Sequence, residues 1–174
     1  MQSTSKEALT DMLRFVERQI VFTIETTAKV HTYHDFLISQ DSMILFNSTC
    51  MCLQSIGETI RQVDDHTKGR LFLLYPTTPW KKVIGMRNII SHEYLSIDPQ
   101  VIFATVKTRL HPLLSDLRRV LADIDAGLRD EELNGWFGTN NLYTEEQKNK
   151  QEKPAQQYLS LIHIWRCRRY AVCR

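Results

Sequence analysis

Arg87, Asn88, Ser91, His92 and Tyr94 set five chemically capable side chains within eight residues of one another. On a helix turning about 100° per residue, Arg87, Ser91 and Tyr94 fall at i, i+4 and i+7 along one stripe. Asn88 and His92, also one turn apart, form the neighbouring stripe, which places Asn88 to orient the imidazole. A guanidinium grips phosphate through a planar fork of donors. An imidazole exchanges protons near neutrality. With a tyrosine hydroxyl beside them, these groups suit phosphoryl transfer. Lys81 and Lys82, just upstream, are candidates to track phosphates, although a lysine pair is as often simply a wet face. His31 and His34 with Asp35 read as a solvated connection rather than a metal site. His111 beside Pro112 reads as a helix-surface residue. No metal site and no cofactor are expected.

The elements that must position these residues are helical, with almost no alternating strand signal. Leu9, Leu13, Val16, Ile20 and Ile24 predict a first helix over about 5–27. A connection follows around His31 to Phe36. The second helix spans about 42–65, with Ile44, Leu45, Cys52, Ile56 and Ile60 as its stripe and Glu58, Arg61 and Gln62 on its flank. A Pro-bounded link over Leu71 to Thr78 leads to Pro79, which suits the opening turn of the third helix because its missing donor costs nothing there. Val83, Met86 and Ile90 then face the core. Asp98 followed by Pro99 predicts a capped start for a fourth helix over about 99–126, with Pro112 inside it. Short connections between amphipathic helices predict an all-α, up-and-down bundle of four to five helices.

Residues 1–133 are expected to form this domain, and 134–174 a polar, disordered linker with an anomalous tail. The last sixteen residues, 159–174, change character abruptly and read as a translated frameshift or sequencing scar. A basic, aromatic membrane-surface segment is the other reading of that stretch. The net charge of +2 conceals a split, because residues 1–137 carry 15 Lys and Arg against 17 Asp and Glu. Global charge therefore gives no support to nucleic-acid binding, and any such affinity must be local. Cys50 and Cys52 lie about 160° apart on a helix, and neither they nor Cys167 and Cys173 have zinc-site spacing. Free thiols in a reducing compartment are expected. No apolar run nears the 18 or so residues of a membrane span, and the N-terminal residues carry no signal-peptide pattern, so a cytoplasmic location is expected.

Several pieces occur in order: Gly57-Glu58 on the second helix, Tyr75-Pro-x-x-Pro-Trp80, and the string Trp-x5-Met-Arg-Asn-x3-His-x-Tyr ending at Tyr94. Over roughly residues 8–127 this resembles the HepT-like branch of the HEPN superfamily. The resemblance implies a metal-independent endoribonuclease that acts as the toxin of a toxin–antitoxin pair. It further implies a homodimer with the active site at the dimer interface, RNA rather than DNA as substrate, and no membrane association. The catalytic pair would be Arg87 and His92, with Asn88 and Ser91 in support. The implied partner is a small nucleotidyltransferase antitoxin that attaches AMP to Tyr94. A competing reading gives the same face no chemistry: a non-catalytic helical module binding nucleotide or protein and regulating a nucleotidyltransferase. Glu58 is either a partner for Arg87 or an ordinary polar residue, and sequence alone leaves both open.

Overall fold

Leu9, Leu13, Val16 and Ile20 are all buried, and the stripe continues through Thr23 and Thr27 rather than Ile24. The spacing of four and three explains the turn onto threonine, because 3.6 residues per turn carries the buried line from 20 to 23 and 27. Each buried hydroxyl is satisfied one turn back: Thr23 Oγ1 donates to the Gln19 carbonyl at 2.7 Å and Thr27 Oγ1 to the Thr23 carbonyl at 2.6 Å. All but Thr27, one residue past its end, lie in helix α1, Ser5–Thr26, in a computed structural model that describes residues 5–92 and 97–138. The chain divides into two units, Met1–Leu133 and Asn134–Arg174, and the geometry below belongs to the first. The tail beyond Gly138, including the segment 159–174 and Cys167 and Cys173, lies outside the described residues.

After a 3-10 turn, Tyr33–Phe36, comes α2, Gln40–His66, whose Ser39 cap accepts a hydrogen bond from the Ser42 N–H at 3.1 Å. Its buried line runs through Phe46, Cys50, Leu53, Ile56, Gly57, Ile60 and Val63. Ile44, expected on that line, is 60% exposed instead, one residue out of phase with the buried Phe46–Cys50–Leu53 series. Cys50 and Cys52 are both buried and free, and burial pushes the Cys50 thiol up to about 11. The helix stops where Lys68 and Gly69 turn left-handed, at φ 53° and 74°, a conformation glycine adopts without a Cβ penalty.

The expected link is not all loop. A short helix α3, Arg70–Leu73, precedes α4, Trp80–His92. Then follow α5, Pro99–Thr108, α6, Leu110–Asp125, and α7, Asp130–Gly138. The single fourth helix expected from sequence is thus two. The break falls at Arg109, and Pro112 lies in the first turn of α6, where a missing N–H is tolerated. Asp98 caps α5 as expected, accepting from the Gln100 N–H at 2.8 Å. Helix α7 carries regular structure five residues past the boundary expected after Leu133.

The described residues form an all-α, up-and-down bundle with α2 packed between α1 and α4. Helix α1 runs antiparallel to α5 and α6, as its cross-links show: Arg14 pairs with Asp125 at 2.8 Å, Glu17 with Arg118 at 2.7 Å, and the Lys107 Nζ donates to the Thr27 carbonyl at 2.9 Å. Among the described residues, no helix is long and apolar enough to cross a membrane.

The Tyr75-Pro-x-x-Pro-Trp80 segment anchors the start of α4. Trp80 stacks on Phe72 with ring centroids 4.2 Å apart and donates its indole N–H to the Tyr75 carbonyl at 2.8 Å. The buried Tyr75 sends its hydroxyl to Asp123 Oδ2 at 2.7 Å and receives Arg129 Nε at 3.3 Å. The guanidinium groups of Arg119 and Arg129 also approach the Tyr75 ring, at 6.0 and 5.6 Å from its centroid. Asp116 on α6 accepts from Thr77, Thr78 and Arg119. Replacing Tyr75 by Phe keeps the ring but leaves Asp123 without its buried hydroxyl partner. That change is expected to cost about 1–2 kcal/mol, read as a lower urea midpoint at unchanged slope.

Candidate functional site

Helices α2 and α4 come together at a glycine. A Cβ placed on Gly57 would lie 2.9 Å from the Arg87 Cβ and 3.0 Å from the Val83 carbonyl oxygen. Any larger residue would push α4 away at the position that carries Arg87. The next residue on α2, Glu58, is therefore delivered to the guanidinium. Arg87 Nε lies 2.8 Å from Glu58 Oε2 as an ion pair, and that oxygen is buried without an aligned hydrogen bond of its own. The choice left open by sequence is settled, since Glu58 is the partner of Arg87.

Glu58 is shared. Its other oxygen accepts Arg61 at 2.9 Å and Gln62 at 3.5 Å, and Arg61 reaches on to Asp65 at 3.2 Å. The hydrogen bond from Arg61 is the main cause that holds the Glu58 carboxyl below its usual range. Burial opposes it as the second-largest effect, and the charges of Arg61 and Arg87 add to the lowering. Arg87 itself is one third exposed, at 33% of its side chain. Its NH1 donates to Asn88 Oδ1 at 3.0 Å. Asn88, which the sequence reading offers as a support for the imidazole, here braces the arginine.

Ser91 and His92 occupy the last turn of α4, and their side chains are outside the described residues, as is Tyr94 altogether. By helix geometry positions 87 and 92 are about 140° apart and about 7.5 Å along the axis. One helix alone does not place both on one face. The two lysines also separate. Lys81 is close enough to Asp64 to oppose the upward push that burial gives that carboxyl, whereas Lys82 borders a cavity on the other flank of α4. Asp35 is taken up in capping, accepting the His31 and Thr32 N–H groups at 2.7 and 2.9 Å. Among the described residues no three of His, Cys, Asp and Glu gather as a metal site would need.

The arrangement offers a braced guanidinium, partly open to solvent, on the helix that ends in His92. Sequence reasoning underused Gly57-Glu58: a glycine inside a long helix, followed by a carboxylate, signals a close helix approach with a charge delivered to it.

The profile of the family described as Ribonuclease HepT-like matches residues 7–121. A protein of Methanocaldococcus jannaschii named as an RNase is 24% identical over 120 residues, which is 69% of this chain and 89% of that relative. A second RNase-named protein of the same organism is 30% identical over 102 residues, 59% of this chain and 83% of its own length. A Thermococcus cleftensis protein named as a ribonuclease HepT is 27% identical over 107 residues, covering 62% of this chain and 86% of that one. No solved structure matches the chain.

Two glycines on facing helices give opposite expectations. Gly57→Val drives a side chain into Arg87 and the Val83 carbonyl and should destabilise by about 1–3 kcal/mol. Gly85→Ala meets nothing within 4 Å and should stabilise by about 0.5–1 kcal/mol through helix propensity. Denaturant midpoints of the two variants check both signs. Acid gives a third expectation. Because the folded carboxyl of Glu58 is depressed, its stabilisation is complete above the ordinary value of 4.5 and is lost as pH falls through the lower folded value. The stability advantage of the parent over Glu58→Gln at pH about 7 should thus shrink toward pH about 3.

Proposed function

The chain belongs to the ribonuclease HepT-like family, and from that premise we propose that it is a metal-independent endoribonuclease acting as a cytoplasmic toxin. The observation that carries the reading is Arg87 itself, braced by Glu58 and Asn88 yet open on one side, on the helix that ends in His92.

RNA brings its own nucleophile. The ribose 2′-hydroxyl attacks the adjacent phosphorus and the bond to the 5′-oxygen breaks, leaving a 2′,3′-cyclic phosphate and a 5′-hydroxyl. The step requires one proton removed, one delivered, and charge stabilised on the phosphoryl oxygens. His92 supplies a proton-transfer group, an imidazole being able to exchange protons near neutrality. Arg87 presents donors to the oxygens whose charge grows in the transition state. Ser91, one turn from Arg87, adds a hydroxyl beside the phosphate. Positions 87 and 92 diverge on a single helix, so the reading uses a homodimer in which two such helices face across a twofold axis. One histidine then serves as base and the other as acid. DNA lacks the attacking hydroxyl and is not a substrate.

The partner in this reading is a small nucleotidyltransferase that attaches AMP to the Tyr94 hydroxyl. An adenylate there puts a bulky anion where RNA must lie and competes for Arg87, as added phosphate does at an arginine cluster. One feature favours a second reading, that of a non-catalytic module regulating a nucleotidyltransferase: Glu58 already engages Arg87.

One assay separates the two. The purified, unmodified protein should cut RNA and spare DNA in the presence of EDTA, leaving cyclic phosphate ends. His92→Ala and Arg87→Ala should each slow the cut by at least about a hundredfold. A dimeric preparation without AMP on Tyr94, by mass spectrometry, that leaves RNA whole would sink the nuclease and leave the regulatory module.

A further inference from the structure

On the flank of α4 opposite Asn88, a cavity of about 370 Å³ opens between that helix and the junction of α5 and α6. Its interior is mostly apolar, built by Ile56 from α2, Val83 and Met86 from α4, and Leu113 from α6. Two cations, Lys82 and Arg109, stand at its edge, and both are exposed. Neither makes an ion pair or a side-chain hydrogen bond among the described residues. The carboxylate that also borders the cavity, Asp116, is already occupied by Thr77, Thr78 and Arg119. The cavity thus combines an apolar interior, two uncommitted positive charges, and one negative charge held by its own partners.

Such a site fits a flat apolar body that carries an anion. Its volume lies in the range of small-molecule sites, about 300–1,000 Å³. Its place in the fold narrows the choice. Met86 and Val83 fall about 100° and 40° round α4 from Arg87, and Lys82 lies about 140° round it and about 7.5 Å up the axis.

Resting on the ribonuclease reading above, we propose that this cavity is a subsite for one unstacked nucleotide of single-stranded RNA. The base enters the apolar interior, the phosphate next to it is held by Lys82 and Arg109, and the strand continues round α4 toward Arg87. A duplex keeps its bases stacked and inward, so it cannot supply the base. The site therefore confers a preference for unpaired RNA and for particular positions within it. Lys82 and Arg109 act here as binding residues, remote from the reacting atoms.

The test uses the full chain in two backgrounds. His92→Ala is mixed with a labelled single-stranded oligonucleotide or with a hairpin duplex, and binding is followed by fluorescence anisotropy over a range of salt. The single strand should bind at least about tenfold more tightly than the duplex, the worth of one well-held base. Lys82→Ala with Arg109→Ala, two surface changes, should lower the salt slope by about 0.7, the value for one phosphate on a single strand. Met86→Trp fills the cavity, so it should erase the preference for single strand and leave that slope alone; thermal melts report whether each variant is folded. In the parent background, Met86→Trp should cut at altered positions. Equal binding of duplex and single strand, or unchanged cut positions in Met86→Trp, overturns the subsite while leaving the nuclease standing. The predicted binding pattern in a protein that cuts nothing upholds the subsite and removes the nuclease.

Discussion

The contact between α2 and α4 at Gly57 is the constraint on which the rest depends. Helix axes approach closely only where one of them offers no side chain, and here the missing Cβ is the one that would strike Arg87. The consequence is chemical as well as steric. With the backbones this close, the residue after the glycine meets the guanidinium directly, and Glu58 fixes its direction at 2.8 Å. A wider separation would leave an ordinary surface arginine, free in all its torsions.

That contact would still permit α4 to slide or pivot about its crossing point. Its start is held by a separate set of bonds through the loop from Tyr75 to Trp80. The indole of Trp80 closes the loop onto the Tyr75 carbonyl, and the Tyr75 hydroxyl ties the loop to Asp123 on α6. Asp116 secures Thr77 and Thr78 to the same helix. Helix α6 in turn is bound to α1 through Asp125 and Arg118. The position of Arg87 therefore reports on three helices beside its own, through its contact with α2.

Local chemistry made much of this legible in the sequence. The stripe of α1 follows from its spacing, and Asp98-Pro99 announces the start of α5 by capping and by a ring that fits a first turn. The segment Pro79-Trp80 marked the start of α4 for the same reason. Features that depend on what packs across from a residue were harder to read. Ile44 is apolar yet faces water, because the buried line of α2 is set by the neighbours of Phe46 and Cys50 rather than by composition. The split of the last long helix turns on the first-turn position of Pro112, which sequence leaves equally compatible with a kink. Asn88 was assigned to the histidine because both lie on one stripe, whereas a hydrogen bond to the adjacent arginine needs no helical register at all.

Glu58 also bears on the thermodynamics of anything that reaches Arg87. An arginine side chain has about 2 kcal/mol of rotamer freedom to lose when it is immobilised. In this chain much of that ordering takes place as the bundle forms, since the carboxylate and Asn88 hold two edges of the guanidinium before a ligand arrives. An incoming anion then meets a donor plane that is already oriented, but it must also share that plane with a resident carboxylate. The one side chain therefore trades intrinsic strength of attraction for readiness, and Arg61, bound to the other oxygen of the same carboxylate, is placed to take up the negative charge as it is displaced.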